Sequence, residues 1–233
     1  MIWHDVECGG YEADLSLWGE LADEAGGPIL DLGCGAGRVG LHLAKRGHLL
    51  TGIDSDVALV AAFNERARVP ASAVVADAQK FELDREFGLA LAPMQLAQLF
   101  ADAEERLRCL RCVTRHLKVG GLAAFAIVEE MPTAGDPSPP LPDVREVDGW
   151  VYSSLPLETI VGDGEIVVRR LRQTVSPEGS LSDTVDEVHL RMVSASELER
   201  EAEAAGLQPI GRRAIPATDA HVGSTVVLLG RGS

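Results

Sequence analysis

Ten residues constrain this chain more than any others: Ile29-Leu30-Asp31-Leu32-Gly33-Cys34-Gly35-Ala36-Gly37-Arg38, an apolar run that ends on a carboxylate and passes into alternating glycines. Glycine has no Cβ and tolerates left-handed backbone, so a strand running straight into such a turn brings main chain close to a ligand. The helix expected next, from about Arg38 to Arg46 and stopped by Gly47, aims its unpaired N–H groups at the same place. Strand, glycine turn and helix together predict a nucleotide site on an α/β fold.

Two kinds of nucleotide fit the spacing. Gly35-Ala36-Gly37-Arg38-Val39-Gly40 satisfies the dinucleotide pattern G-x-G-x-x-G, and Asp54 follows about 20 residues on, where a ribose-binding acid is expected. That pattern alone would describe an NAD(P)-dependent oxidoreductase. Asp31 argues against it, because its charge would face a pyrophosphate that is already anionic. A sulfonium cofactor carrying an ammonium and a single carboxylate meets the same acid with attraction.

At this point the residues Asp31-Leu32-Gly33-Cys34-Gly35-Ala36-Gly37 resemble motif I of the class I S-adenosylmethionine-dependent methyltransferases of the bacterial small-molecule type. The resemblance implies a Rossmann-like seven-stranded sheet with helices on both faces. It also implies S-adenosyl-L-methionine as cofactor and S-adenosyl-L-homocysteine as product. The expected domain is a single unit over residues 1–233, with an N-terminal cap helix at about 1–24 and a β insert or lid at about 131–193.

Further along, Leu49 to Ile53 read as a second strand ending on Asp54 and Ser55, and Ala73 to Ala76 as a third ending on Asp77 and Ala78. Acids at successive strand ends matter together, because ligands of open α/β sheets collect at the carboxyl ends of the strands. A carboxylate at Asp54 suits both ribose hydroxyls. The resemblance assigns Asp77 to the adenine amino group, the Ala78 N–H to a ring nitrogen, and Tyr11 to the methionine carboxylate. Phe87 to Pro93 read as the fourth strand, and the resemblance, in which this strand ends near the cofactor's sulfur, implies the Ala92 backbone and Gln98 as candidate cofactor contacts. With Gly33, Cys34, Gly35 and Gly37 of the turn, these complete the expected cofactor site.

Candidate acceptor-pocket residues are Trp18, Met94, Glu129, Trp150 and Tyr152. The chain departs from the family pattern here, with Gly88 and Met94-Gln95 where many relatives carry an aspartate and an aromatic-Asn pair, so the acceptor stays unnamed. Asp102 is expected to cap a helix to Leu117, Lys118-Val119-Gly120-Gly121 to turn it, and Leu122 to Val128 to form a fully covered strand. Residues 131–149 hold five prolines and read as a loop, a candidate entrance flap, followed by three antiparallel strands from Trp150, Glu165 and Thr184. Ser194-Ala195-Ser196-Glu197 is a capping box, and Leu207–Ala214 with Ser224–Gly230 should close the sheet as a hairpin. No residue stands out as the catalytic base.

A net charge of -15 repels phosphate backbones, and no basic cluster offsets it, so nucleic acid is not an expected partner. No apolar run reaches membrane-spanning length, and no signal peptide opens the chain, so a cytoplasmic protein without a membrane partner is expected. Cys8, Cys34, Cys109 and Cys112 lack zinc spacing and read as free thiols, with no metal. The function expected is in-line N- or O-methyl transfer to a small metabolite, by a chain that could form a homodimer. Alternatives are the NAD(P) oxidoreductase and a non-catalytic S-adenosylmethionine-binding regulatory protein.

Overall fold

Ile29, Leu30, Asp31 and Leu32 form strand β1 (Ile29–Leu32), all four buried, and the sheet is laid out on either side of it. In the computed structural model, which describes residues 1–68, 70–129, 141–218 and 221–232, β1 pairs in parallel with β2 (Leu50–Asp54) and with β4 (Phe87–Ala92). Outside these lie β3 (Ala71–Val75) and β5 (Leu117–Ile127). The hairpin of β10 (Leu207–Ile215) and β11 (Ser224–Arg231) joins through β11, antiparallel to β5, giving the order β10-β11-β5-β4-β1-β2-β3.

Strand alternation sorts the core into two layers. Leu30, Leu32, Ala90 and Ala92 pack with Leu110 and Val113 of α6 (Ala103–His116) and Leu198 of α7 (Ala195–Ala204). Ile29, Leu89 and Leu91 pack with Trp18 and Leu21 of α2 (Leu15–Ala25), Val39 and Leu43 of α3 (Arg38–Lys45), and Val60 and Phe63 of α4 (Val57–Arg66). The helices start where their capping residues predict. Asp56 accepts from the Ala58 and Leu59 N–H groups, Asp102 from Glu105, and Ser194 and Glu197 close a reciprocal box.

Three expectations are corrected. The N-terminal segment is two helices, α1 (Ile2–Glu7) and α2, separated by Cys8–Asp14. Lys118–Gly121 is already part of β5: pairing begins at Phe87 with Leu117, and the register shifts before it resumes at Leu89 with Leu122, Gly120 taking φ 75°. Among the described residues the insert has four strands, not three. Residues 143–147, read as loop, form β6 (Asp143–Val147), ahead of β7 (Trp150–Gly162), β8 (Glu165–Val175) and β9 (Leu181–Arg191). The signal was Asp148-Gly149, whose φ of 52° and 79° makes a two-residue hairpin turn like that of Asp163-Gly164. The neighbouring prolines masked it. Residues 131–140 of the expected flap, 131–149, lie outside the described residues.

A short helix, α5 (Leu96–Leu99), follows β4. No helix among the described residues is long and apolar enough to cross a membrane.

Candidate cofactor and acceptor site

The glycine turn between β1 and α3 needs its glycines. Gly33, Gly35 and Gly37 take φ of 65°, 53° and 96°, and a Cβ on Gly35 would lie 2.2 Å from Nε2 of His4. Asp54, at the end of β2, holds the turn from the side: its Oδ2 accepts the Gly35 N–H at 2.8 Å and its Oδ1 the Asp56 N–H at 2.9 Å. The Cys34 N–H donates to the Ile53 carbonyl at 3.0 Å, so the carboxyl ends of β1 and β2 form one platform. The Asp54 oxygens keep lone pairs for ligand hydroxyls.

Asp31 does not point into an open cleft. Alternation turns it toward α3, it is 1% exposed, and a Cβ on Gly40 would come within 2.8 Å of its Oδ2. Burial pushes its pKa up to about 7, against the pull of the Arg38 guanidinium, with the Asp54 charge raising it further and the Gly40 N–H lowering it. Its Oδ1 has no hydrogen-bond partner. A buried orphan carboxyl oxygen at the foot of the turn fits a cofactor that brings an amino group. Gly40, the last glycine of the dinucleotide-like spacing, makes room for Asp31, Leu50 and Phe63 rather than for a phosphate.

The other expected cofactor residues divide. Asp77, at the end of β3, accepts the Gln79 N–H at 2.9 Å and lies 3.3 Å from Lys80, a turn arrangement that leaves it part-exposed. Ser55 is exposed beside Asp54, Ala78 packs against the core, and Ala92 is fully buried at the end of β4. Tyr11 packs on the His221 ring at 4.6 Å between centroids and under the Arg38 guanidinium. The Cys34 side chain turns away under Gly52, where burial pushes its thiol pKa up. Gln98 is a strut: buried, it accepts the Val128 N–H at 2.7 Å and donates to the Val128 and Arg191 carbonyls, both at 3.1 Å.

Among the expected acceptor residues, Trp18 is core, fully buried, its indole N–H donating to Asp14 at 2.8 Å. Asp14 in turn holds Arg38 through both carboxylate oxygens, at 2.6 and 2.7 Å. Tyr152 meets Trp3 of α1 edge-on at 5.6 Å, while Trp150 lies two residues away on the same strand face, 40% exposed. Met94 is half-buried in the turn after β4. Glu129 alone lines the large cavity that opens at the carboxyl end of β5, about 990 Å³, with Val128, Met192, Glu197, Ile215 and Thr225 among its walls. No Lys, Arg or His among the described residues lines it. A smaller hollow of about 430 Å³ beside His116 lies at the opposite, amino-terminal end of the sheet, away from where ligands of such sheets collect.

The sequence reading missed the part α1 plays. His4 rests on Gly35, Asp5 pairs with Arg66 of α4, and Glu7 pairs with Arg172 of the insert at 2.7 and 2.8 Å and accepts from Ser154. These partners are up to 165 residues apart, beyond any local signal. Glu197 was read only as a helix cap, which it also is.

An open sheet of this order, with an acid-lined glycine turn at its switch point, is the methyltransferase fold. Residues 29–121 match the family described as Methyltransferase domain. The S-adenosyl-L-methionine-dependent Diels-Alderase iccD of Talaromyces variabilis is 35% identical over 124 residues, 51% of this chain and 42% of that protein. The chain thus spans about two fifths of the length of the curated relative it matches. Across its full length the chain resembles the sugar N-methyltransferase KedS8 from Streptoalloteichus sp ATCC 53650, with TM-score 0.76, 20% identity and 91% of that chain covered. The amino pentose methyltransferase CalS10 of Micromonospora echinaspora, solved with S-adenosylmethionine bound, gives TM-score 0.73 at 15% identity over 99% of this chain and 97% of that one. These two likenesses carry the fold. Residues 29–121 thus resemble a methyltransferase domain, and the sheet order is that of the methyltransferase fold.

Proposed function

We propose that this protein transfers a methyl group from S-adenosylmethionine to an amine nitrogen of a small metabolite. The observation that carries the reading is the cavity at the end of β5, whose only charged walls among the described residues are Glu129 and Glu197. Such a cavity favours a cationic guest. It lies two strand spacings from the glycine turn, on the order of 10 Å, because β4 alone separates β1 from β5. When bound, the cofactor supplies an electrophilic methyl group on a sulfur that leaves neutral.

The platform of Gly33, Gly35, Gly37, Asp31 and Asp54 would hold the cofactor, with Asp77, Ala78 and the Ala92 backbone as its further candidate contacts. Glu129 keeps one carboxylate oxygen beyond the one that accepts the Ala195 N–H at 2.8 Å, and that oxygen receives the proton an ammonium acceptor must lose before attack. Most of the rate comes from alignment and exclusion of water, which the burial of the β4 and β5 ends supports. His116 is not the base: its Nε2 accepts from Leu83 and its Nδ1 donates to the Cys112 carbonyl.

Val144, Leu155, Ile160, Val167, Leu171 and Val185 share the insert face opposite Ser154, Arg170 and Arg172, and Val144, Ile160 and Val185 are 60%, 47% and 57% exposed. A homodimer packs there, and sedimentation equilibrium tests it. The four cysteines, all free, suit a reducing cytoplasm. Nucleic acid is not a partner of so acidic a surface.

A second reading is favoured by the likeness to iccD: a catalyst that binds S-adenosylmethionine without consuming it. Incubation with S-adenosylmethionine and a metabolite extract, read by mass spectrometry, separates the two. Methyl transfer yields S-adenosylhomocysteine together with an amine heavier by one methylene. Product formation with the cofactor intact would favour the second reading, and methylated hydroxyls without methylated amines would overturn the amine assignment.

A further inference from the structure

We propose that His4 is a cofactor-contacting residue that donates a hydrogen bond to the α-carboxylate of the methionine half of S-adenosylmethionine. The inference rests on the reading of the glycine platform as the cofactor site.

An anionic carboxylate arriving at this platform meets Asp31 and Asp54, and it needs a donor to be held there. Three of the turn's amides are engaged: Cys34 with the Ile53 carbonyl, Gly35 with Asp54, and Gly37 with the Cys34 carbonyl. Arg38, the cation nearest the turn, has its Nη1 on the Tyr11 carbonyl and Asp14 and its Nη2 on Asp14. Arg66 is engaged by Asp5 and the Ala36 carbonyl. Tyr11, which the family resemblance offers for this carboxylate, is packed between the Arg38 guanidinium and the His221 ring.

His4 differs from all of these. Its ring lies directly on Gly35, and its buried Nδ1 has no hydrogen-bond partner. It and Asp31 are the two residues with buried, unpartnered side-chain atoms among the described residues, and both border the same turn. One is an acceptor suited to the cofactor's amino group, the other a ring nitrogen suited to its carboxylate. Burial lowers the His4 pKa, against the charges of Asp5 and Asp54 and with Arg38 and the N-terminus, so the imidazole is neutral near pH 7 and carries a single N–H. The ring is held in place because α1 is pinned on both sides, by Arg66 through Asp5 and by Arg172 through Glu7.

The test is calorimetric binding of S-adenosylhomocysteine and of 5′-methylthioadenosine, which has the same thioadenosine half without the amino acid, to wild type, His4→Phe and His4→Gln. Phe keeps an aromatic ring against Gly35 and removes only the nitrogens. Expected is an affinity loss of about tenfold for S-adenosylhomocysteine in H4F, with 5′-methylthioadenosine unchanged. H4Q, which keeps a donor, retains the wild-type preference for S-adenosylhomocysteine, and it carries the test alone if H4F does not fold. Equal losses for both ligands, or no loss of that preference in H4F, would overturn the assignment of His4. Wild-type protein that binds neither ligand would overturn the platform reading itself, a separate and recognisable result.

Discussion

Asp54 reaches back across 19 residues to accept the Gly35 N–H at 2.8 Å, so the end of the second strand sets the shape of the turn that follows the first. The same carboxylate orders the turn and, in the proposed cofactor site, keeps lone pairs for the ribose hydroxyls. Asp54→Ala therefore loses both at once, and S-adenosylhomocysteine affinity should fall by about ten- to a hundredfold, the range for charged hydrogen bonds. Asp54→Asn, which keeps one acceptor, should fall less; isothermal titration compares them.

The pH dependence follows from Asp31. Its folded pKa of about 7 stands above the ordinary 3.8, so the folded protein binds this proton more tightly than the unfolded chain does. Its contribution to stability is complete below about pH 4 and is lost as the pH rises through about 7. A cofactor ammonium favours the ionised carboxyl, so affinity for S-adenosylhomocysteine should strengthen over the upper part of that window and protons should be released on binding. Titrations in buffers of different ionisation enthalpy read both effects. Asp31→Asn should flatten them, and a wild-type profile equally flat would contradict the account.

Asp14 compensates a buried charge. The Arg38 and Asp14 side chains are only 8% and 0% exposed, and Trp18 hangs on the same carboxylate. Removing it in Asp14→Ala leaves the indole N–H without a partner and the guanidinium with only the Tyr11 carbonyl and no counter-charge. The expected loss is about 3–5 kcal/mol in urea unfolding.

Gln98→Leu distinguishes a strut from a ligand contact. The substitution leaves the Val128 N–H and two carbonyls unpaired in the interior, which should cost about 2–4 kcal/mol. Because Val128 lines the proposed acceptor cavity and Arg191 precedes its wall residue Met192, turnover should drop while S-adenosylhomocysteine affinity changes by less than about threefold.

Glu7→Gln loosens α1 from the insert. The Glu7 and Arg172 side chains are 14% and 17% exposed, a pair sheltered enough for its loss to be felt. Amide exchange across residues 2–7 should accelerate while protection of β1 and β4 holds. Unchanged exchange in α1 would mean that its other anchor, Asp5 with Arg66, suffices alone.

Much of the cofactor half could be read locally. A glycine that must adopt φ of 53° against a neighbouring ring is visible as a glycine, and acids at the ends of apolar runs are visible as acids. Caps at Asp56, Asp102 and Ser194 are legible for the same reason, since each acts within three residues of itself. Trp18 and Gln98 were misread because their chemistry suits a ligand as well as a core. Only the partners that enclose them, Asp14 in one case and the Val128 and Arg191 main chain in the other, decide between the two.

The sequence by itself determined the order of the sheet elements, the glycine turn and the likeness to a methyltransferase domain over residues 29–121, because each is written in residues close together along the chain. Tertiary structure alone decided that Asp31 is buried beneath the turn, that His4 rests on Gly35, and that Glu129 and Glu197 line one cavity. Burial and charge are properties of what surrounds a side chain. For this protein those surroundings are assembled from α1, the sheet and the insert, segments that share no stretch of sequence.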